Sequence, residues 1–242
     1  MPDSLPHHSF HTTRWTVVRR AVGNDDVAAR QALAILCDGY WYPLYAFFRR
    51  SGKGAHDAED LTQGFFVRLL EKEVLASADP EKGKLRTFLL SCARHFLADE
   101  NDRANARKRG GGLLTSFDAV QAEERYAIEP MDDLTPDRLF QRRWALTLLD
   151  QTLQALGAEY VAREKGALFA ALRPFLGFGT GVVKSYEELV AELGMPAGTL
   201  KNHVFRMRER WRALLLERVG ETLDEPTPEQ VRAELSELIG CV

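Results

Sequence analysis

An all-α fold of two small helical domains, joined by a flexible acidic linker, is what this sequence predicts. Three observations carry the prediction. Apolar residues recur at spacings of three and four along most of the chain. Sustained period-two alternation with hairpin turns is absent. Residues 113–135 hold few periodic apolar positions and separate two periodic stretches.

Residues 1–13 read as a disordered start and residues 14–112 as a first helical domain. Helical periodicity begins near Thr13, breaks at Gly23-Asn24-Asp25 and continues through Ala28–Cys37. The stretch Tyr40–Phe48 is densely aromatic and reads as core, with Pro43 expected near a helix start. After the loop Ser51–Gly54, Asp57 reads as an N-cap with Asp60 three residues on, both favoured by the helix dipole. Leu61, Phe65 and Leu69 form the apolar stripe of this helix. A further helix is expected from about Leu85 to Arg109, buried through Phe88, Cys92 and Phe96 with Leu89, Ala93 and Leu97 beside them, and ended by Gly110–Gly112. The second domain, 136–219, opens on Pro136 at a first helical position. Trp144, Leu148, Leu149, Leu153 and Leu156 form its buried face, and a helix over about Ala162–Pro174 follows. Residues 220–242 form an acidic extension, with Val231, Leu235, Leu238 and Ile239 at helical spacing, expected to dock on the second bundle or on a regulator.

Composition narrows the function classes. The chain has 242 residues, 45% of them hydrophobic, which suits one or two globular domains. Uncharged runs stay far short of the roughly 20 residues a membrane helix needs, so no membrane insertion is expected. The start MPDSLPHHSFHTTRW has no basic residue followed by an apolar stretch and predicts no secretory leader. Cys37, Cys92 and Cys241 are widely spaced without a CxxC pair, which argues against a disulfide framework or zinc ribbon and for a reducing cytoplasm.

The formal net charge of −3 hides strong segregation. Residues 82–109 carry eight basic residues against three acidic ones, and residues 196–218 carry six against two. Asp118–Asp137 holds seven acids and one arginine, and residues 220–242 hold six acids and one arginine. Two basic modules with an acidic connector and tail form a partner pattern, not one of bulk solubility.

The second basic module has a recognisable local architecture. Ser185 and Glu188 form a capping box opening a short helix through Leu193, and Gly194-Met195-Pro196 makes a tight turn. The next helix, from Ala197 to about Val219, buries Leu200, Val204, Met207 and Trp211, leaving Lys201, Asn202, Arg206 and His203 outward near its start. That is the geometry of a helix-turn-helix whose second helix enters a major groove. Arg208, Arg210 and Arg212 are candidates for phosphate contacts.

SYEELVAELGMPAGTLKNHVFRMRERW closely resembles region 4.2 of the extracytoplasmic-function (ECF) sigma factors, in the sigma-70 family of bacterial RNA polymerase subunits. DAEDLTQGFFVRLLE resembles region 2.2 of that family, and KLRTFLLSCARHFLADENDRANARKR resembles regions 2.3 and 2.4. Order and spacing match over most of residues 30–220. The resemblance implies a non-enzymatic initiation factor that needs neither cofactor nor metal. It implies that Asp57, Glu59, Asp60, Gln63 and Phe66 contact the β′ clamp helices of core polymerase, with the β flap as a second polymerase contact. It implies that Arg86, Phe88, Arg94, His95, Asp99 and Arg103 lie nearest the −10 element of promoter DNA and help to open it. Thr199, Lys201, Asn202, Phe205 and Arg206 would read the −35 element. The acidic linker resembles the connector that threads toward the RNA exit channel, and an anti-sigma factor is a further partner class. Phe88 stands where the family commonly has tryptophan, and Ser91 where a basic residue is common.

Two other classes fit parts of the chain. A stand-alone helix-turn-helix regulator would use the C-terminal module alone and leave residues 57–109 without a role. An enzyme would need Asp57, Glu59 and Asp60 to hold Mg²⁺; three acids at a helix start are far more often caps and solvated charge. His7, His8 and His11 read as a polar tail.

Overall fold

The computed structural model describes residues 26–69, 74, 77–79, 81, 83–107, 118–127, 134–177, 184–224 and 226–241. Expectations for the N-terminal residues 1–25, for Gly110–Gly112 and for the loop beyond Gly177 lie outside the described residues. Within them the protein is α-helical, with no strand.

Helix α1 spans Asp26–Arg50, α2 Ala55–Leu69, α3 Leu85–Arg107, α4 Asp118–Ala127 and α5 Pro136–Ala162. They are followed by α6 at Gly166–Leu172, a 3-10 turn at Arg173–Leu176, α7 at Tyr186–Leu193, α8 at Ala197–Glu221 and α9 at Pro228–Ile239. The chain divides into two compact units, one of residues up to Thr147 with Val219–Val242 and one of Leu148–Arg218.

The first unit is built on the aromatic stretch. Tyr40, Tyr42, Tyr45, Phe47 and Phe48 are all buried on α1. Pro43 lies inside this helix and not near a start as expected. An internal proline costs about 3 kcal/mol, but burial of each large apolar side chain contributes roughly 1.5–3 kcal/mol, so the aromatic face carries the helix through it. Phe96 of α3 meets Phe48 at 6.4 Å and Phe65 of α2 at 5.8 Å, both edge-on. Leu85, Leu89, Ala93 and Phe96 form the buried face of α3, while Phe88, Cys92 and Leu97, expected in the stripe, are only half-buried. The face is turned by about one position from the expected one because Phe88, Leu89 and Leu90 offer apolar side chains on adjacent headings.

Residues 118–127, expected within a flexible linker, are helix α4. Its anchors are largely polar and aromatic, which an apolar-periodicity reading does not register. Arg49 of α1 pairs with Glu123 at 2.6 Å, Tyr45 donates its hydroxyl to Glu123 at 2.6 Å, and Arg125 lies over the Tyr42 ring at 4.0 Å. Tyr126 meets Tyr45 edge-on and Ala122 is buried.

Helix α9 belongs to the first unit, so the expectation that the tail docks on the second bundle is corrected. Thr227 and Gln230 form a capping box and Pro228 takes the first helical position. Val231 and Leu238 are buried, Leu235 is half-buried, and Ile239 faces solvent.

In the second unit Leu156, Leu172, Leu189, Leu200, Val204 and Met207 form the core, with Tyr160, Phe169 and Trp211 packed against it. Gly157 lets the Phe169 ring of α6 approach α5: a Cβ there would lie 2.9 Å from the ring. The helix after α5 begins at Gly166 and not near Ala162, and Pro174 sits in the 3-10 turn. Arg210 holds Glu159 at 2.5 Å.

The capping box of α7 forms as expected: the Glu188 N–H donates to Ser185 Oγ at 3.2 Å and the Ser185 N–H donates to Glu188 Oε2 at 2.7 Å. Gly194 closes the helix in the left-handed region at φ 62°. Ser185→Ala is expected to lower stability by about 1 kcal/mol, read as a shifted urea midpoint with unchanged slope.

Hydrogen bonds from basic partners hold three carboxyls below the usual range: Arg49 at Glu123, Arg210 at Glu159, and Lys84 at Glu237. A carboxyl whose folded pKa is depressed contributes stability above its unfolded pKa and loses it as pH falls through the folded one. The thermal midpoint is therefore expected to hold near neutral pH and to fall progressively below about pH 4.3. A midpoint that stays level through pH 3 would show these pairs to be energetically silent.

Candidate nucleic-acid and partner surfaces

Helix α2 begins at Ala55, so Asp57 lies in its first turn and does not cap it. The buried stripe runs through Ala58, Thr62, Phe65, Phe66 and Leu69, and it takes Glu59 with it. Two residues expected to face a partner are placed differently by this. Glu59 and Phe66 face inward, Phe66 against Phe65 at 5.9 Å, because they share the stripe that meets the core. Leu61, expected in the stripe, is half-buried. Asp57 and Asp60 are exposed, and Gln63 sits at the margin, donating to Glu59 Oε1 at 3.1 Å. Asp57, Asp60 and Leu61 line a groove of about 640 Å³ with Val67, Arg68 and Arg103. Val67, 65% exposed, was missed by sequence reasoning because it sits in an apolar run that reads as core. Its signal is position: it follows Phe65 and Phe66, which fill the buried heading.

The six residues expected near the −10 element share α3 but not one environment. His95 and Arg103 are exposed, the latter paired with Glu100 at 2.6 Å. Arg94 is exposed and engages Asp137 at the start of α5, its Nε donating to Oδ1 at 3.1 Å. Phe88 is half-buried. Asp99 accepts an ion pair from Arg68 of α2 at 2.9 Å, and that guanidinium also lies over the Phe96 ring. Arg86 departs furthest from an open surface: it is 3% exposed. Its Nε donates to Gln141 at 2.8 Å, its guanidinium lies over the Trp144 ring at 4.9 Å, and Glu234 and Glu237 of α9 meet its terminal nitrogens. Burial lowers its pKa. Lys84, beside it, was not singled out from the sequence. A second cation next to a helix start that has no acid in its first turn was the available signal.

The face of α8 expected to read the −35 element is placed more simply. Thr199, Lys201, Asn202, Phe205 and Arg206 are all exposed on its N-terminal half, while Leu200, Val204 and Met207 are buried beneath. His203 is half-buried. Phe205, 65% exposed, is a large aromatic ring left in water on a basic face. Of the three arginines expected to touch phosphates, two are engaged within the unit: Arg208 donates to the Phe175 carbonyl at 2.8 Å and Arg210 holds Glu159. Arg212 is exposed.

No group of three or more His, Cys, Asp or Glu among the described residues is arranged to hold a metal ion. Burial pushes the Cys37 thiol up to about 11 and raises that of Cys92, so neither is a ready thiolate at neutral pH. No described helix is long and apolar enough to cross a membrane.

A family model described as Sigma-70 region 2 matches residues 42–107, the stretch from the aromatic half of α1 to the end of α3. Over that stretch the chain is similar to the sigma-70 family of RNA polymerase sigma factors. The chain is also similar to the ECF RNA polymerase sigma factor SigE of Mycolicibacterium smegmatis, 26% identical over 179 residues. That match covers 74% of this chain and 60% of the relative, so the chain spans less than two thirds of the relative's length. No solved structure matches the chain.

Proposed function

We propose that the chain is an alternative sigma factor that binds core RNA polymerase, directs it to a class of promoters and assists melting of the −10 region. It acts in the cytoplasm and performs no catalysis of its own. The single observation that carries this reading is the pairing, in one chain, of a region-2 match with a capped helix-turn-helix whose exposed face is basic. Either alone suits many proteins; both in this order suit a factor that holds two promoter elements at once.

In this reading Asp57 and Asp60 face the β′ clamp helices, where exposed acids complement a basic groove and set the rate and register of docking. The groove beside them, with Val67 at its rim, adds the apolar contact that acids alone lack. His95 and Arg103 meet the opened −10 strand, holding its backbone by charge and its bases by stacking. Lys201, Asn202 and Arg206 read base edges of the −35 element, and the β flap supports this second module. An anti-sigma factor would cover one of these faces.

The test is run-off transcription, with purified protein added to sigma-free core polymerase on a promoter pool from the source genome. Defined transcripts that vanish without the protein establish the reading and reveal both elements together. Neither transcripts nor core binding would sink it and favour a stand-alone helix-turn-helix regulator.

A further inference from the structure

The start of α3 is a site that wants an anion. Lys84 precedes it and Arg86 lies in its first turn, and that turn has no acid of its own. A helix N-terminus already carries partial positive charge, so two cations there repel the helix dipole and attract any anion that reaches them. The anions come from α9. Lys84 Nζ lies 2.5 Å from Glu234 Oε2 and also meets Glu237, while Arg86 Nη2 lies 2.6 Å from Glu237 Oε1 and Nη1 meets Glu234. Glu234 is 2% exposed and sits on the same buried face as Val231 and Leu238. A carboxylate on a helix's buried stripe is costly unless a cation waits for it. The tail is therefore fitted to this one seat.

Arg86 of this seat is one of the residues expected nearest the −10 strand, and the inference rests on that reading. Two carboxylates three residues apart on a helix stand side by side, as successive phosphates do along a nucleic-acid strand. We propose that α9 is an intramolecular substitute for a DNA backbone: Glu234 and Glu237 occupy a phosphate-binding site made by Lys84 and Arg86, and single-stranded DNA gains that site only when α9 leaves. Glu237, which is more exposed than Glu234, is the edge from which a strand displaces the helix. A groove of about 320 Å³ lined by Lys84, Leu223, Gln230 and Glu237 gives access there.

The test uses the full chain and a fluorescein-labelled oligothymidylate of about 12 nucleotides, within the usual site size for single strands. Anisotropy titrations over a salt series compare the native chain with Glu237→Gln and with Glu234→Gln/Glu237→Gln. Both variants are expected to bind more tightly, the double by about tenfold or more. Its log–log salt slope is expected to steepen by about 1.4, two phosphates at about 0.7 each for single strands. The double variant leaves Arg86 beside neutral amides and can loosen the fold, so hydrogen exchange of the native chain supplies a second readout. Amides of Val231–Leu238 are expected to exchange faster at saturating oligonucleotide.

Unchanged affinity and slope in Glu237→Gln, with unchanged or slower exchange at Val231–Leu238, would make α9 a structural brace and overturn the proposal. If the native chain nonetheless supports run-off transcription, the sigma reading stands without it. Failure of every variant to bind oligonucleotide at low salt would overturn the proposal together with the −10 assignment of α3.

Discussion

Replacing Trp144 with alanine is expected to lower the stability of the first unit by about 3–5 kcal/mol. Trp144 is 1% exposed, stacks on Tyr40 of α1 at 6.1 Å, and offers its ring to Arg86 of α3 at 4.9 Å. One side chain of α5 therefore joins three helices. Marginal stability makes that loss serious, since a domain holds only about 5–15 kcal/mol in all. With a urea slope of roughly 2 kcal/mol per molar, the midpoint should fall by about 2 M. Trp144→Phe keeps a ring against both Tyr40 and Arg86 and is expected to cost clearly less. A loss under about 1 kcal/mol for the alanine variant would mean that α5 does not pack as described.

The contrast between Trp144 and Arg86 shows which parts of this protein its sequence makes legible. Trp144 was predictable as core because it lies in phase with Leu148, and local phase is what a linear reading measures. The capping box at Ser185, the turn at Gly194 and the buried row Leu200, Val204 and Met207 were legible for the same reason: each is settled within one or two helical turns. The environment of Arg86 was not legible. Its partner Glu237 lies 151 positions away, and both residues look like ordinary surface charges until the chain is folded. Helix α4 was hidden likewise, since its anchors are an arginine, a glutamate and tyrosines brought from α1. Glu59 and Phe66 were misplaced by a smaller error. Reading Asp57 as a cap set the start of α2 three residues late, and neighbouring apolar residues left the centre of its stripe undetermined. The exposed faces proposed to meet outside partners, on α2 and α8, were therefore easier to outline than the face that meets the chain's own tail.

If α8 reads the −35 element as proposed, Lys201→Ala/Arg206→Ala is expected to abolish transcription from the cognate promoter while leaving the fold intact. Both side chains are exposed on α8 and neither lies in the buried row beneath it, so stability should change by no more than about 0.5 kcal/mol each way. Lys201 lies 5.8 Å from the Tyr186 ring of α7, an exposed contact worth little in water. Against DNA the balance reverses. A good bidentate contact to a base edge is worth roughly 1–3 kcal/mol of discrimination, so losing two should weaken specific duplex binding by about 30-fold to 10⁴-fold. Binding to unrelated duplex should fall far less, because it depends on phosphate contacts that carry no sequence information. The two outcomes separate the roles. If Lys201 and Arg206 read bases, the ratio of specific to non-specific affinity collapses. If they serve only as charge, both affinities fall together and the salt slope becomes shallower by about 0.9 for each phosphate no longer neutralised. Core polymerase binding, assigned to the exposed acids of α2, should be unchanged in either case. A variant that kept full transcription would remove α8 from promoter recognition and leave its exposed basic face without the role proposed for it.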